Sequence, residues 1–213
     1  MTWPLALHLR DALVGEIGDN IYFVFLIRWY QKAWFELGIS PFFHPFLNYP
    51  QGWNLASTDT ALSTTLPGLF FSLLGGPVFG YNLAMLVTFV FSGWAMFFWV
   101  RRLTGSTAAG LLAGTIYAFL PYRMAHYLVG HLNLAGTQWF PLYFMGLYET
   151  LKGTSMNGAP LKTVRHSWKV IVLAAVSLGL IGFTSMYYLY YAALFSALFI
   201  LAYLLVERRA WRE

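Results

Sequence analysis

Val78-Phe79-Gly80-Tyr81-Asn82-Leu83-Ala84-Met85-Leu86-Val87-Thr88-Phe89-Val90-Phe91-Ser92-Gly93-Trp94-Ala95-Met96-Phe97-Phe98-Trp99-Val100 carries no charge and is stopped by Arg101-Arg102. A helix crosses a bilayer core in about 20 apolar residues, so this stretch reads as a membrane span. The composition around it agrees. Of 213 residues, 59% are hydrophobic and 10% are charged, against about 25% charged in soluble domains. That deficit excludes a water-facing surface, and the 20% aromatic content suits membrane interfaces. The absence of cysteine rules out disulfides and thiolate metal sites. A net charge of +5 would suggest nucleic acid in a soluble protein. In a membrane chain it reflects basic loops that set topology, and no nucleic-acid partner is expected.

Upstream, residues 61–74 are apolar but too short to cross about 30 Å of hydrocarbon. Pro67-Gly68 interrupts them and Gly75-Gly76-Pro77 ends them, so they read as an interfacial or re-entrant helix. Residues 20–37 read as another helix, with Asp19 or Asn20 as N-cap and Gly38 as the stop. Its aromatics are mixed with Arg28, Gln31, Lys32 and Glu36. This favours a helix lying in the interface, apolar side down, over a tilted span with snorkelling ends. Lys32 and Glu36 have the spacing of an i, i+4 pair. Between the two helices, Pro41, Pro45, Pro50 and Gly52 make residues 39–60 an aromatic loop.

Downstream, residues 107–120 form a short small-residue span in which Gly110 and Gly114 present a close-contact face. It must borrow residues past Pro121 or lie in a thinned region. A further span covers residues 132–151, with Pro141 inside it. After a polar linker, the apolar block 170–206 would be about 55 Å long as one helix, so it must turn, at Gly182-Phe183-Thr184-Ser185. The fold class is therefore all-α: a polytopic membrane bundle of about five transmembrane helices plus two interfacial jaw-like helices. Residues 1–77 hold the acidic loop and the jaw helices, and residues 78–213 the bundle.

Nine of the thirteen Lys and Arg residues (Arg101, Arg102, Lys152, Lys162, Arg165, Lys169, Arg208, Arg209, Arg212) fall on one family of loops. The positive-inside rule puts that family in the cytoplasm. The acidic loop 15–20, the aromatic loop, residues 121–131 and residues 184–188 then face outward. This outer side collects Asp11, Glu16, Asp19, Glu36 and Asp59 with His8, His44, Arg123, His126 and His131. Asp19 reads as a general base or metal ligand, or else as a helix cap. Arg123 reads as a clamp for a lipid phosphate, or else as an interfacial anchor. His126 and His131 suit metal or substrate contact, or simple loop hydrogen bonding. Five residues apart, they would not share a helix face. Tyr187, Tyr188, Tyr190 and Tyr191 read most simply as an aromatic belt. No phosphate loop, catalytic triad order or tight metal motif is present.

The order of these parts resembles the GT-C superfamily of polytopic glycosyltransferases, in the bacterial mannosyltransferase and aminoarabinose-transferase group. The resemblance rests on Gly18-Asp19, Tyr49-Pro50-Gln51-Gly52, Val100-Arg101-Arg102-Leu103-Thr104-Gly105 and Leu120-Pro121-Tyr122-Arg123-Met124-Ala125-His126. Gly130-His131, Gln138-Trp139-Phe140-Pro141-Leu142 and Tyr187-Tyr188 add to it. It implies an inverting transfer of sugar from a polyprenyl-phosphate donor at the outer face of a bacterial inner membrane. Asp19, or less favourably Glu16, matches the catalytic acidic position. Arg123, His126, His131, Tyr187 and Tyr188 would bind substrate. Some members use a divalent metal. Members begin with a span before the acidic loop and continue through more spans, so the chain is expected to be the N-terminal part of a longer protein. A carrier of polyprenyl-linked sugars would need charged or polar groups near mid-membrane. The predicted spans hold no ionisable group there, and Thr88, Ser92 and Ser177 are the nearest polar groups. A non-catalytic scaffold, with Asp19 only capping its helix, is the third reading.

Overall fold

A computed structural model of the protein describes residues 3–153 and 164–210, with side chains for residues 3–152 and 168–206. Lys162, Arg165, Arg208, Arg209 and Arg212, used above to orient the chain, lie outside those side chains, as does His166. The described chain is mostly helical. Its mast is a helix we number α3 (Pro77–Thr104), 28 residues long and so about 42 Å. Pro77 opens it at the position where a missing N–H costs nothing, and Gly105 closes it at φ 71°.

α2 (Leu62–Gly75) runs antiparallel to the first half of α3 as a helical hairpin. Glycine is required at the crossing: a Cβ on Gly80 would lie 2.3 Å from the Gly68 carbonyl oxygen. Contrary to expectation, Pro67-Gly68 does not interrupt α2. Burial of Thr64, Thr65, Gly68, Leu69 and Ser72 holds the helix through the lost hydrogen bond. α1 (Asp19–Gln31) packs on both α2 and α3. It continues through a π-helical turn, Lys32–Leu37, to Gly38 at φ 64°, the predicted stop. Its apolar face was expected to lie on lipid. Instead Phe23, Leu26, Ile27, Trp29 and Tyr30 are buried in protein. The wider turn also changes the predicted pairing: Glu36 meets Arg28 at 2.8 Å, while Lys32 sits over the Phe46 ring. Both members of the ion pair are about half exposed, so it adds little stability. Residues 39–60 are not all loop. β1 (Phe43–His44) and β2 (Trp53–Asn54) pair as a minimal antiparallel hairpin.

The second half of α3 carries α4 (Thr107–Ala118) through the predicted glycine face; a Cβ on Gly114 would meet the Gly93 carbonyl oxygen at 2.6 Å. α4 does not extend past Pro121. It stops at the depth of Gly93, and Pro121 starts α5 (Pro121–Leu128). The expected span over residues 132–151 is also broken, into α6 (Leu132–Ala135) and α7 (Trp139–Gly153). Pro141 thereby falls in the first turn of α7, where it has no intrahelical bond to lose. The apolar block after the linker turns where its length required, between α8 (Val164–Gly182) and α9 (Met186–Ala210). A single apolar core draws Val14, Phe23, Leu69, Tyr81, Met85 and Leu132 together, so residues on both sides of position 77 share it. A smaller cluster of Tyr143, Ile181, Tyr188 and Ala192 ties α7, α8 and α9.

Two helices, α3 and α9, are long and apolar enough to cross a membrane. Only 28% and 11% of their apolar windows are buried in the protein, unlike the mostly buried core helix of a water-soluble fold, and bare apolar surface on that scale suits a membrane. α2 and residues 168–182 are shorter apolar helices.

Candidate functional site

The acidic loop is held by two asparagines. Asn82 of α3 donates from Nδ2 to the carbonyls of Leu9 (3.0 Å) and Ala12 (2.7 Å), and its Oδ1 accepts the Val14 N–H. Asn20, fully buried, donates to the carbonyls of Val14 and Glu16, both at 3.0 Å, and accepts from the Gly18 and Ile21 amides. Gly15, at φ 87°, lies so close to Leu128 that a Cβ would sit 2.3 Å from its carbonyl oxygen. The Glu16 N–H donates to that same carbonyl at 2.8 Å. The loop is thus pinned across the end of α5. Asp19 is the first residue of α1, and its carboxylate caps nothing in the helix. Glu16 is exposed and serves the loop through its backbone.

His131 lies beyond the end of α5, so the helical-face argument that separated it from His126 does not apply. The chain folds back and the two Nδ1 atoms meet at 2.9 Å. On its other side, His131 Nε2 is 3.4 Å from Asp19 Oδ2. With both rings neutral, one tautomer set serves all contacts: His126 Nδ1–H donates to His131, and His131 Nε2–H points at Asp19. The Tyr122 ring meets His126 edge-on at 4.4 Å. Its hydroxyl is 3.3 Å from that of Tyr188, which in turn donates to the Leu134 carbonyl. Of the predicted tyrosines only Tyr188 joins the site; Tyr187, Tyr190 and Tyr191 point outward.

Burial, and then the facing His131, lower the pKa of His126. A base that binds its proton more weakly when folded leaves the unfolded chain with more bound protons below pH 6.5. Stability therefore falls as pH drops through that value. We expect a lower thermal midpoint in detergent at pH 5.5 than at pH 7.5, and a smaller difference in His126→Gln. An equal difference in the variant would place the effect elsewhere.

Arg123 is neither a rim anchor nor open to the surface. It is completely buried. Its guanidinium donates to Thr137 Oγ1 at 2.9 Å and Thr88 Oγ1 at 3.2 Å, and lies 4.5 Å from the Phe89 ring centre. Its Nε has no partner. Among the described residues no carboxylate pairs with it. Burial lowers its pKa to about 10, which leaves it a cation at neutral pH. The predicted spans carry no ionisable group near their middles, but packing brings the guanidinium of Arg123, on α5, against Thr88 of α3.

The structure adds a carboxylate the sequence reading did not single out. Asp59 Oδ2 accepts from Asn133 Nδ2 at 2.7 Å and from Ser185 Oγ at 3.0 Å, joining the loop before α2, α6 and the α8–α9 turn. A signal was available: Asp59 is the sole charge between Glu36 and Arg101. Tyr22, whose hydroxyl is 3.0 Å from Thr58 Oγ1, feels both acids. Burial first, and then the charges of Asp59 and Asp19, raise its pKa against the opposing Thr58 hydrogen bond. Asp59 also lines a groove of about 970 Å³ whose walls are mainly apolar, including Leu178, Phe183, Met186 and Leu189. No group of three carboxylate, histidine or cysteine side chains positioned to hold a metal occurs among the described residues.

No protein-family model, curated protein or solved structure matches the chain. The geometry alone therefore carries the functional reading. It offers an exposed carboxylate backed by an imidazole pair, a buried cation with no counter-ion among the described residues, and an apolar groove lined in part by a second carboxylate.

Proposed function

We propose that the protein is, or is the N-terminal part of, a membrane glycosyltransferase that moves a sugar from a polyprenyl-phosphate donor to an acceptor. The observation that carries this reading is that Asp59 lines the apolar groove, next to Thr58, whose hydroxyl bonds Tyr22 in the first turn of the helix that Asp19 opens. An isoprenoid chain suits the groove, and a sugar suits the Asp59 carboxylate and the Ser57, Thr58 and Thr60 hydroxyl groups that line part of it. In the transfer, Asp19 takes the proton from an acceptor hydroxyl. The oxygen forms a bond to the anomeric carbon as the bond from that carbon to the phosphate oxygen breaks, and the electron pair leaves with the phosphate. Arg123, buried behind the site, supplies positive charge to that leaving group through its field rather than by contact. The His131–His126 pair orients Asp19 and offers a path for the proton.

In this arrangement about five helices (α3, α4, α7, α8 and α9) occupy the bilayer of a bacterial inner membrane, with the acidic loop outward. α1 and α2 sit on the outer side as the jaw helices. Membrane lipid and the lipid-linked sugar are the partners, and a divalent metal is not built into the mechanism. The test is incubation of the chain, in lipid nanodiscs, with a polyprenyl-phosphate hexose. Release of polyprenyl phosphate, with water taking the acceptor's place and free hexose formed, or saturable retention of the donor, is expected; the absence of both would refute the reading. The apolar groove between the loop before α2 and helices α8 and α9 would also suit a second reading, a carrier of the same lipid-linked sugars. Movement of the donor between leaflets without cleavage would select it.

A further inference from the structure

We propose that the hairpin built on β1 and β2 is a lipid-contact element whose tip enters the headgroup layer of the bilayer beside α9. Residues 37–58 contain no Asp, Glu, Lys or Arg, an unusual run for a water-facing loop. They nevertheless expose large rings: Tyr49 is 81% exposed, and Phe43, Phe46 and Trp53 are each 45% or more.

The rings are held outward by a rigid scaffold. His44 Nδ1 accepts the backbone N–H groups of Phe46 (3.3 Å) and Leu47 (3.2 Å). Its ring stacks on Trp29 at 3.8 Å, and Trp29 Nε1 donates to the Pro41 carbonyl at 2.8 Å. Leu55 N–H returns to Phe42 at 2.8 Å. Asn48 takes a left-handed conformation, φ 53°, which its short polar side chain tolerates. A loop so constrained cannot collapse to hide its aromatics, so something apolar must cover them.

The position of the hairpin identifies the cover as lipid. Phe42 and Ala56 at its base share one groove with Phe183 in the α8–α9 turn and Met186 at the start of α9. The outward face of α9 continues from there through Tyr187, Tyr190, Tyr191 and Leu194. Lipid that surrounds a crossing helix is therefore adjacent to the hairpin. Tyr and Trp favour that depth because one end of each ring is polar. One cation, Lys32, lies 6.0 Å from the Phe46 ring centre, where it can meet a headgroup phosphate. With no charge on the tip, insertion is apolar and insensitive to salt. The inference does not depend on glycosyl transfer; it depends on α9 crossing the bilayer.

The chain lacks cysteine, so single-cysteine variants carry one label each. Nitroxides at Tyr49→Cys and Trp53→Cys, in the full chain in phosphatidylcholine vesicles, report collision with oxygen and with a water-soluble nickel chelate. Ile17→Cys, 89% exposed on the acidic loop, marks water, and Leu198→Cys on α9 marks hydrocarbon. We expect nickel collisions at positions 49 and 53 several-fold below those at 17, unchanged by added salt. Water-like collisions at 49 and 53, with position 198 protected, would overturn the proposal and turn attention to a sugar or protein partner. Water-like collisions at 198 would remove its premise and overturn it as well.

Discussion

Asp19→Asn should abolish sugar transfer while leaving the protein folded and expressed. Loss of a positioned general base costs about 10²–10⁴-fold in rate, and Asn cannot take the acceptor proton. The fold should be indifferent, because the Asp19 carboxylate caps nothing and the loop is clipped by Asn20 and Asn82. The measurement is product formation by the reconstituted variant, with the thermal midpoint recorded alongside. Transfer near the wild-type rate would remove Asp19 from the reaction. The next carboxylate to examine would then be Asp59, which lines the groove.

Arg123→Met should separate stability from function in the opposite sense to an ordinary core substitution. Truncating a well-packed core side chain usually lowers stability by about 2–5 kcal/mol. Arg123 is a buried cation with no acidic partner among the described residues, and burying such a charge costs several kcal/mol by itself. Met fills much of the same space without it. The Thr88 hydroxyl already donates to the Met85 carbonyl at 2.7 Å, so loss of the guanidinium strands no donor there. We expect an unchanged or raised thermal midpoint together with a fall in transfer of roughly 10²–10³-fold, the scale of removing one electrostatic stabiliser of the transition state. A lowered midpoint would mark Arg123 as structural. Unaltered transfer would end its role at the phosphate.

These two residues show what could be read in advance. Helix α3 was legible because an unbroken apolar run with a double-arginine stop is a local property. So were the turn at residues 183–185, which length alone demanded, and the glycine face of α4. Pro141 and Pro67 were misjudged in opposite directions. Whether a proline breaks a helix depends on which turn it occupies and on what packs against that turn, and neither is local. The face of α1 was assigned to lipid because its chemistry suits lipid and protein equally; only α2 and α3 decide between them.

The candidate site divides along the same line. Asp19 is visible as an acid in a short glycine-flanked loop. The meeting of His126 with His131 is not, since it arises from a chain reversal after Leu128. Asp59 was passed over because its partners, Asn133 and Ser185, come from remote parts of the chain. Composition and hydropathy by themselves determined that the chain is helical and made for a membrane, because those are sums over residues and runs. The tertiary structure decided which polar groups face one another, and that Arg123 is buried rather than exposed, because long-range packing sets how far a charge lies from water and from other charges.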